Sequence, residues 1–108
     1  MMVTAQTKTK SVLMLHGGPG FYGYMSSLGQ RLPKHHDVTY FAQRGSLANP
    51  KPLDELTLEV HLRDIDDEIG RMPTEQDLCL VGHSWGANLA LLYAAQNPDK
   101  LNKVVAIA

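Results

Sequence analysis

The chain has 108 residues, 44% of them hydrophobic and 19% charged, with a formal net charge of −1. That composition suits one domain with a core of its own and gives neither nucleic acid nor an anionic membrane surface an electrostatic hold. The lone cysteine, Cys79, excludes an internal disulfide, and within Leu78-Cys79-Leu80-Val81 it reads as a buried strand residue, not a reactive thiol.

In chain order, residues 1–10 form a polar N-terminal segment, and the apolar run Val12 to Leu15 is too short for a signal-peptide core or a membrane span. A soluble, cytoplasmic protein is therefore expected. Val12-Leu13-Met14-Leu15 reads as a buried strand ending at His16, after which Gly17, Gly18, Pro19 and Gly20 force an irregular turn. A short helix is expected over Tyr22 to Leu32, stopped at Pro33. Val38-Thr39-Tyr40-Phe41, β-branched and aromatic, is a second strand, and Gly45 to Asp54, with Pro50 and Pro52, is a loop. Leu58, Leu62, Ile65 and Ile69 recur at helical spacing, with Arg63, Asp64, Asp66, Asp67 and Glu68 mainly on the outer face; Gly70 and Pro73 end that helix. Asp77 to Val81 is a third strand. Ser84 to Asn97 is a helix apolar almost all round, halted before Pro98. Val104 to Ile107 begins a fourth strand. Strands alternating with helices, and continuous apolar runs in place of polar alternation, indicate an α/β fold with a parallel sheet covered on both faces.

Two motifs 66 residues apart carry the chemistry, and each follows a strand. Gly82-His83-Ser84-Trp85-Gly86 fits a G-x-S-x-G nucleophile elbow, in which a strained strand-to-helix turn raises a serine hydroxyl above the sheet. Gly82 and Gly86, without Cβ atoms, let strand and helix approach there. His16-Gly17-Gly18-Pro19-Gly20 fixes five positions, a match that average usage produces less than about once in a million sites. Acyl transfer builds negative charge on a carbonyl oxygen. Backbone N–H donors preorganised for that charge are worth about 3 to 4 kcal/mol each. Gly18 N–H and Trp85 N–H, the latter at the positive end of a helix, are the candidate oxyanion hole, with His16, Gly17 and Gly20 supporting the loop. The glycine loop lacks the Lys-Ser/Thr of a P-loop and the spacing of a dinucleotide fingerprint, which argues against nucleotide binding.

Together with Gln43-Arg44-Gly45-Ser46, these motifs make the chain resemble the α/β-hydrolase superfamily, and within it the prolyl iminopeptidase-like serine hydrolases. The resemblance implies a doubly wound parallel sheet, here partial, of about four strands in the order second, first, third, fourth with flanking helices. Residues 11–108 would be the central portion of that domain. It also implies a Ser-His-Asp triad with Ser84 as nucleophile and no cofactor or metal. In the family's order the acid and the histidine follow the nucleophile and would lie beyond Ala108, so the 108-residue chain alone is expected to be inactive. Iminopeptidases commonly carry aspartate before the Gln-Arg-Gly, and Ala42 stands there instead. Epoxide hydrolases and haloalkane dehalogenases share the layout but carry aspartate where Ser84 stands.

Within the chain, His83 adjoins Ser84 and should point away from it, and His16 belongs to the glycine loop. His35, His36 and His61 read as solvated surface residues, with a His61–Asp64 dyad the weaker alternative because their helix should flank the sheet instead of covering the elbow. The activity expected first is an aminopeptidase acting on a small-molecule or peptide substrate. A carboxylesterase comes second. A non-catalytic truncated hydrolase that binds a partner, or associates with itself, through the open sheet edge is the reading from a different class.

Overall fold

The computed structural model describes residues 10–18, 24–32, 36–46, 49–73 and 77–108. Four parallel strands, β1 (Lys10–Leu15), β2 (His36–Phe41), β3 (Asp77–His83) and β4 (Lys103–Ile107), form one sheet in the order β2-β1-β3-β4. This is the order and direction the sequence predicts. Between the strands lie α1 (Ser26–Gly29), α2 (Leu58–Gly70) and α3 (Trp85–Gln96), with single 3₁₀ turns at Leu53–Glu55 and Pro98–Lys100.

Strand alternation divides the core into two layers. Leu13, Leu15 and Leu80 face α2 and α3, where they pack with Ile65, Leu89, Ala90 and Tyr93. On the opposite face Val12, Met14 and Val81 pack with Met25, next to α1. Both faces of the central strands are therefore covered, and each buried side chain of this size stabilises by about 1.5 to 3 kcal/mol.

α2 starts at Thr57, whose hydroxyl accepts the Val60 N–H at 3.2 Å and satisfies one of the helix's open donors. Two polar clusters then fix the helix. Arg44 grips Asp64 through Nε at 2.6 Å and Nη2 at 3.0 Å and also donates to the Glu55 carbonyl at 3.2 Å. The buried Tyr93 hydroxyl donates to Asp66 at 2.6 Å, and Lys100 reaches the same oxygen at 2.7 Å, which joins α2 to α3. These donors hold the Asp66 carboxyl below its ordinary range, while burial and the Asp66 hydrogen bond push the Tyr93 phenol up.

Several expectations need correction. The helix expected over Tyr22 to Leu32 narrows to α1, which has no side-chain cap and carries Gly29 in its single turn; residues 22, 23 and 33 lie outside the described set. The loop from Gly45 to Asp54 instead leads into the 3₁₀ turn and contains a Ser46–Asn49 bridge. Cys79 is only half-buried, on the Met25 face, although burial still pushes its thiol up. Leu58, the first residue of α2, is exposed, because one turn earlier than Leu62 it has passed the end of the sheet surface that Ile65 covers. The polar segment 1–10 is described only at Lys10. Among the described residues no helix is long and apolar enough to cross a membrane.

Candidate active site

At the C-terminal end of β3 the chain turns sharply into α3, and Ser84 occupies the turn at φ 55°, ψ −114°. A non-glycine residue there costs about 1 to 3 kcal/mol, and the surroundings hold it in place. Its N–H donates to the Ile107 carbonyl of β4 at 2.9 Å, and its carbonyl accepts the Ala87 and Asn88 N–H groups at 3.0 and 3.2 Å. The side chain caps nothing and is exposed, so the hydroxyl remains free of the helix end.

The elbow glycines have steric reasons. A Cβ on Gly82 would overlap the Gly86 carbonyl, and one on Gly86 would overlap the Leu15 carbonyl and lie 2.6 Å from that of His16. Strand β1, strand β3 and the start of α3 thus meet backbone to backbone directly below Ser84.

The loop after β1 is fixed by its buried histidine. His16 Nε2 accepts the Gln43 N–H at 3.1 Å, so its Nδ1 carries the proton and donates to the Gly17 carbonyl at 3.0 Å. Gln43 Nε2 returns a bond to the His16 carbonyl at 2.7 Å. The first motif and the Gln43-Arg44-Gly45-Ser46 run therefore form one interlocked unit, which spacing alone did not reveal.

Gly17 packs on the elbow. A Cβ there would lie 2.8 Å from the His83 carbonyl and 3.0 Å from Ser84 Cβ. Its N–H is engaged, donating at 2.6 Å to the Tyr24 hydroxyl, which in turn donates to His83 Nδ1 at 2.6 Å while the two rings meet edge to face. Gly18 has φ +51°, and among the described residues no atom beyond its chain neighbours lies within 4 Å of where its Cβ would be, so none of them crowds its backbone. Trp85, the first residue of α3, has an N–H with no intrahelical partner. Gly20 lies outside the described residues.

Two residues were misjudged from sequence. The sequence places Tyr24 in the first turn of the helix expected over Tyr22 to Leu32, with no signal that it ties the glycine loop to the residue before Ser84. His61 is not a solvated residue: it is 8% exposed, donates from Nδ1 to the Thr57 carbonyl at 2.8 Å, and meets the Trp85 ring edge to face at 5.8 Å. Its spacing of four from Ile65 was the available clue. A His61–Asp64 dyad does not form, because Asp64 belongs to Arg44.

No histidine among the described residues is hydrogen-bonded to Ser84. His16 and His83 are committed as above, His61 faces Trp85, and His36 starts β2 at the opposite end of the sheet, in the row of Lys10 and Asp77. His35 lies outside the described residues. Among the described residues no group of three or more His, Cys, Asp or Glu side chains is arranged to hold a metal ion.

A parallel sheet with helices on both faces and a sharp strand-to-helix turn after β3 define an α/β protein. The chain belongs to the α/β hydrolase fold family, whose profile matches residues 10–108. It is 31% identical over 97 residues to a proline iminopeptidase of Heyndrickxia coagulans, a match covering 87% of this chain and 33% of the relative. It is also 27% identical over 97 residues to a cis-3-alkyl-4-alkyloxetan-2-one decarboxylase of Shewanella oneidensis, covering 87% and 30%. Among solved structures, a marine microorganism esterase superposes with a TM-score of 0.78 at 24% identity, over 93% of this chain and 38% of that one, a likeness of fold. The chain spans about a third of the length of the curated relatives it matches.

Proposed function

We propose that this chain is the nucleophile-bearing part of a serine hydrolase that cleaves an amide or ester bond. The observation that carries the reading is the strained Ser84 at the end of β3, with its hydroxyl unspent. Ser84 Oγ attacks the substrate carbonyl carbon, its proton passes to a histidine base oriented by a carboxylate, and the carbonyl oxygen takes the negative charge between the Gly18 and Trp85 N–H groups. Collapse of that intermediate expels the amine or alcohol, which takes the proton from the histidine, and water then releases the acyl group by the same steps in reverse. His16 and Gln43 hold the loop that presents Gly18, and Gly17, with its own N–H given to Tyr24, serves as the contact point with the elbow. No described histidine is hydrogen-bonded to Ser84, and the family's order puts both triad partners after the nucleophile, so the 108-residue chain taken by itself is proposed to turn over negligibly. With a triad member removed, an intact oxyanion hole and binding pocket leave at most about 10³ to 10⁴-fold acceleration over water.

Within this class an aminopeptidase resembling the proline iminopeptidases is the first reading, supported by the interlocked His16 and Gln43-Arg44 motifs and by the relatives of that name. A carboxylesterase is the second, favoured by Ala42 in place of the aspartate that iminopeptidases commonly carry. The longest chain the gene encodes should be assayed on prolyl anilides and on short-chain p-nitrophenyl esters, beside its Ser84→Ala variant. Faster turnover of the prolyl anilide supports the first reading and of the ester the second. Turnover of either that survives Ser84→Ala overturns the serine mechanism. The proposed setting is the cytoplasm, and the outer edge of β4, paired only with β3 among the described residues, is proposed to join a second copy when the 108-residue chain is isolated.

A further inference from the structure

On the α2 side of the elbow a cavity of about 290 Å³ opens between Ser46, Leu56, His61 and Trp85, above the His16–Gln43 pair. Most polar groups in its walls are already committed. Both His16 nitrogens, the Gln43 amide nitrogen and the whole Arg44 guanidinium have protein partners, and Arg44 is neutralised by Asp64. Among those that remain, the Ser46 hydroxyl and the His61 imidazole stand out. Ser46 is 1% exposed, and its Oγ is buried with no hydrogen-bond partner among the described residues, a state that costs about 1 to 3 kcal/mol in a folded protein and calls for an explanation. His61, which spends Nδ1 on Thr57, offers Nε2 as a bare acceptor in its neutral form.

We propose that this cavity is a binding site for a small neutral molecule that carries one hydroxyl on a ring-sized apolar body, a phenol being the simplest case. The ligand's O–H donates to His61 Nε2 while its oxygen accepts from the Ser46 hydroxyl, which satisfies both open groups at once. Leu56 and the Trp85 ring wall the apolar body, and the Trp85–His61 edge-to-face pair supplies the aromatic setting. The one permanently charged side chain among the lining residues, Arg44, is already paired with Asp64, so a charged ligand finds no free counter-ion there. The site is independent of whether Ser84 is a nucleophile, because neither Ser46 nor His61 is hydrogen-bonded to it.

Trp85 is the chain's only tryptophan, so its fluorescence, excited at the red edge of its absorption, reports occupancy directly. The 108-residue chain is titrated with phenol and, in parallel, with toluene, which matches phenol in shape and lacks the hydroxyl. Phenol should give a saturable change and bind about tenfold more tightly than toluene, because toluene leaves two polar groups unpaired. Ser46→Ala should weaken phenol by about tenfold and leave toluene unchanged. Should Ser46→Ala fail to fold by circular dichroism, His61→Phe must show the same selective loss. Equal affinity for phenol and toluene would overturn the proposal in favour of a plain apolar gap. So would unchanged phenol binding in a folded variant, and the absence of saturation would mean a cavity filled by solvent alone.

Discussion

Strands β3 and β4 lie side by side in parallel register, and both read in sequence as apolar runs, yet their burial is opposite. Val81 in β3 is 7% exposed, while its neighbour Val105 in β4 is 37% exposed, on the same face of the same sheet. β3 has partners on both sides and side chains from the helices or the α1 approach packed on both faces; among the described residues β4 has only β3 beside it, with Ile107 also exposed. An apolar run therefore states how much surface a strand can bury, and the number of its neighbours decides how much it does. The functional geometry follows the same division. Every close backbone approach beneath Ser84 involves β1, β3 or the start of α3, whereas β4 contributes a single carbonyl, that of Ile107.

The sharpest way to break that comparison is at Gly86. Gly86→Ala drives a methyl into two backbone carbonyls that cannot move apart without separating β1 from α3, and it should cost at least about 3 kcal/mol in urea denaturation. A tolerated alanine would mean that the close approach is not needed. Next come the paired valines. Val81→Ala should cost about 2 kcal/mol from lost transfer energy and a residual cavity, and Val105→Ala under about 1 kcal/mol. Equal losses would erase the distinction between the strands. Ser84→Gly should raise stability by about 1 kcal/mol, since glycine adopts the positive φ without strain, and a lower urea midpoint would show that the turn is relaxed.

A smaller effect belongs to Asp66, which is partly exposed and so contributes at most about 1 kcal/mol. Its folded-state pKa is lowered, so its contribution is present above the unfolded value near 4 and is lost as pH falls through the folded value. The urea midpoint of Asp66→Asn should therefore lie below that of the parent at about pH 6 and converge with it below about pH 3. A constant gap would assign the loss to packing. Last, Val105→Lys should change stability by no more than about 0.5 kcal/mol but shift the isolated chain from dimer to monomer in sizing, because a charge beside an open edge discourages pairing. A parent chain that is monomeric at high concentration would sink the edge-pairing proposal.

The positions and parallel direction of β1, β2, β3 and β4 were legible because they are β-branched or apolar runs alternating with helices, whereas their order across the sheet came from the resemblance to the α/β-hydrolase superfamily, since an apolar run does not say which strand lies beside it. The elbow was legible because glycine spacing around Ser84 reflects a backbone constraint that any side chain would violate. What escaped were contacts made across the fold. Nothing local to Tyr24 announces a bond to His83, 59 residues later, and the shortness of α1 reflects weak glycine propensity against which the apolar Leu28 and Leu32 could not prevail. The polar imidazole of His61 suggests a surface residue, whereas its spacing of four from Ile65 puts it on the inner face of α2, where its ring meets that of Trp85. Leu58 was misread in the opposite sense, since periodicity does not say where the surface being covered stops.

The central claim, that Ser84 is the nucleophile of a serine hydrolase, is tested most directly by mapping the site of phosphonylation. The longest chain the gene encodes is treated with a fluorophosphonate and digested, and the modified peptide is sequenced by mass spectrometry. The expected result is one phosphonate on Ser84, absent from the Ser84→Ala variant. Modification of another serine in its place, or labelling that persists undiminished in Ser84→Ala, would contradict it.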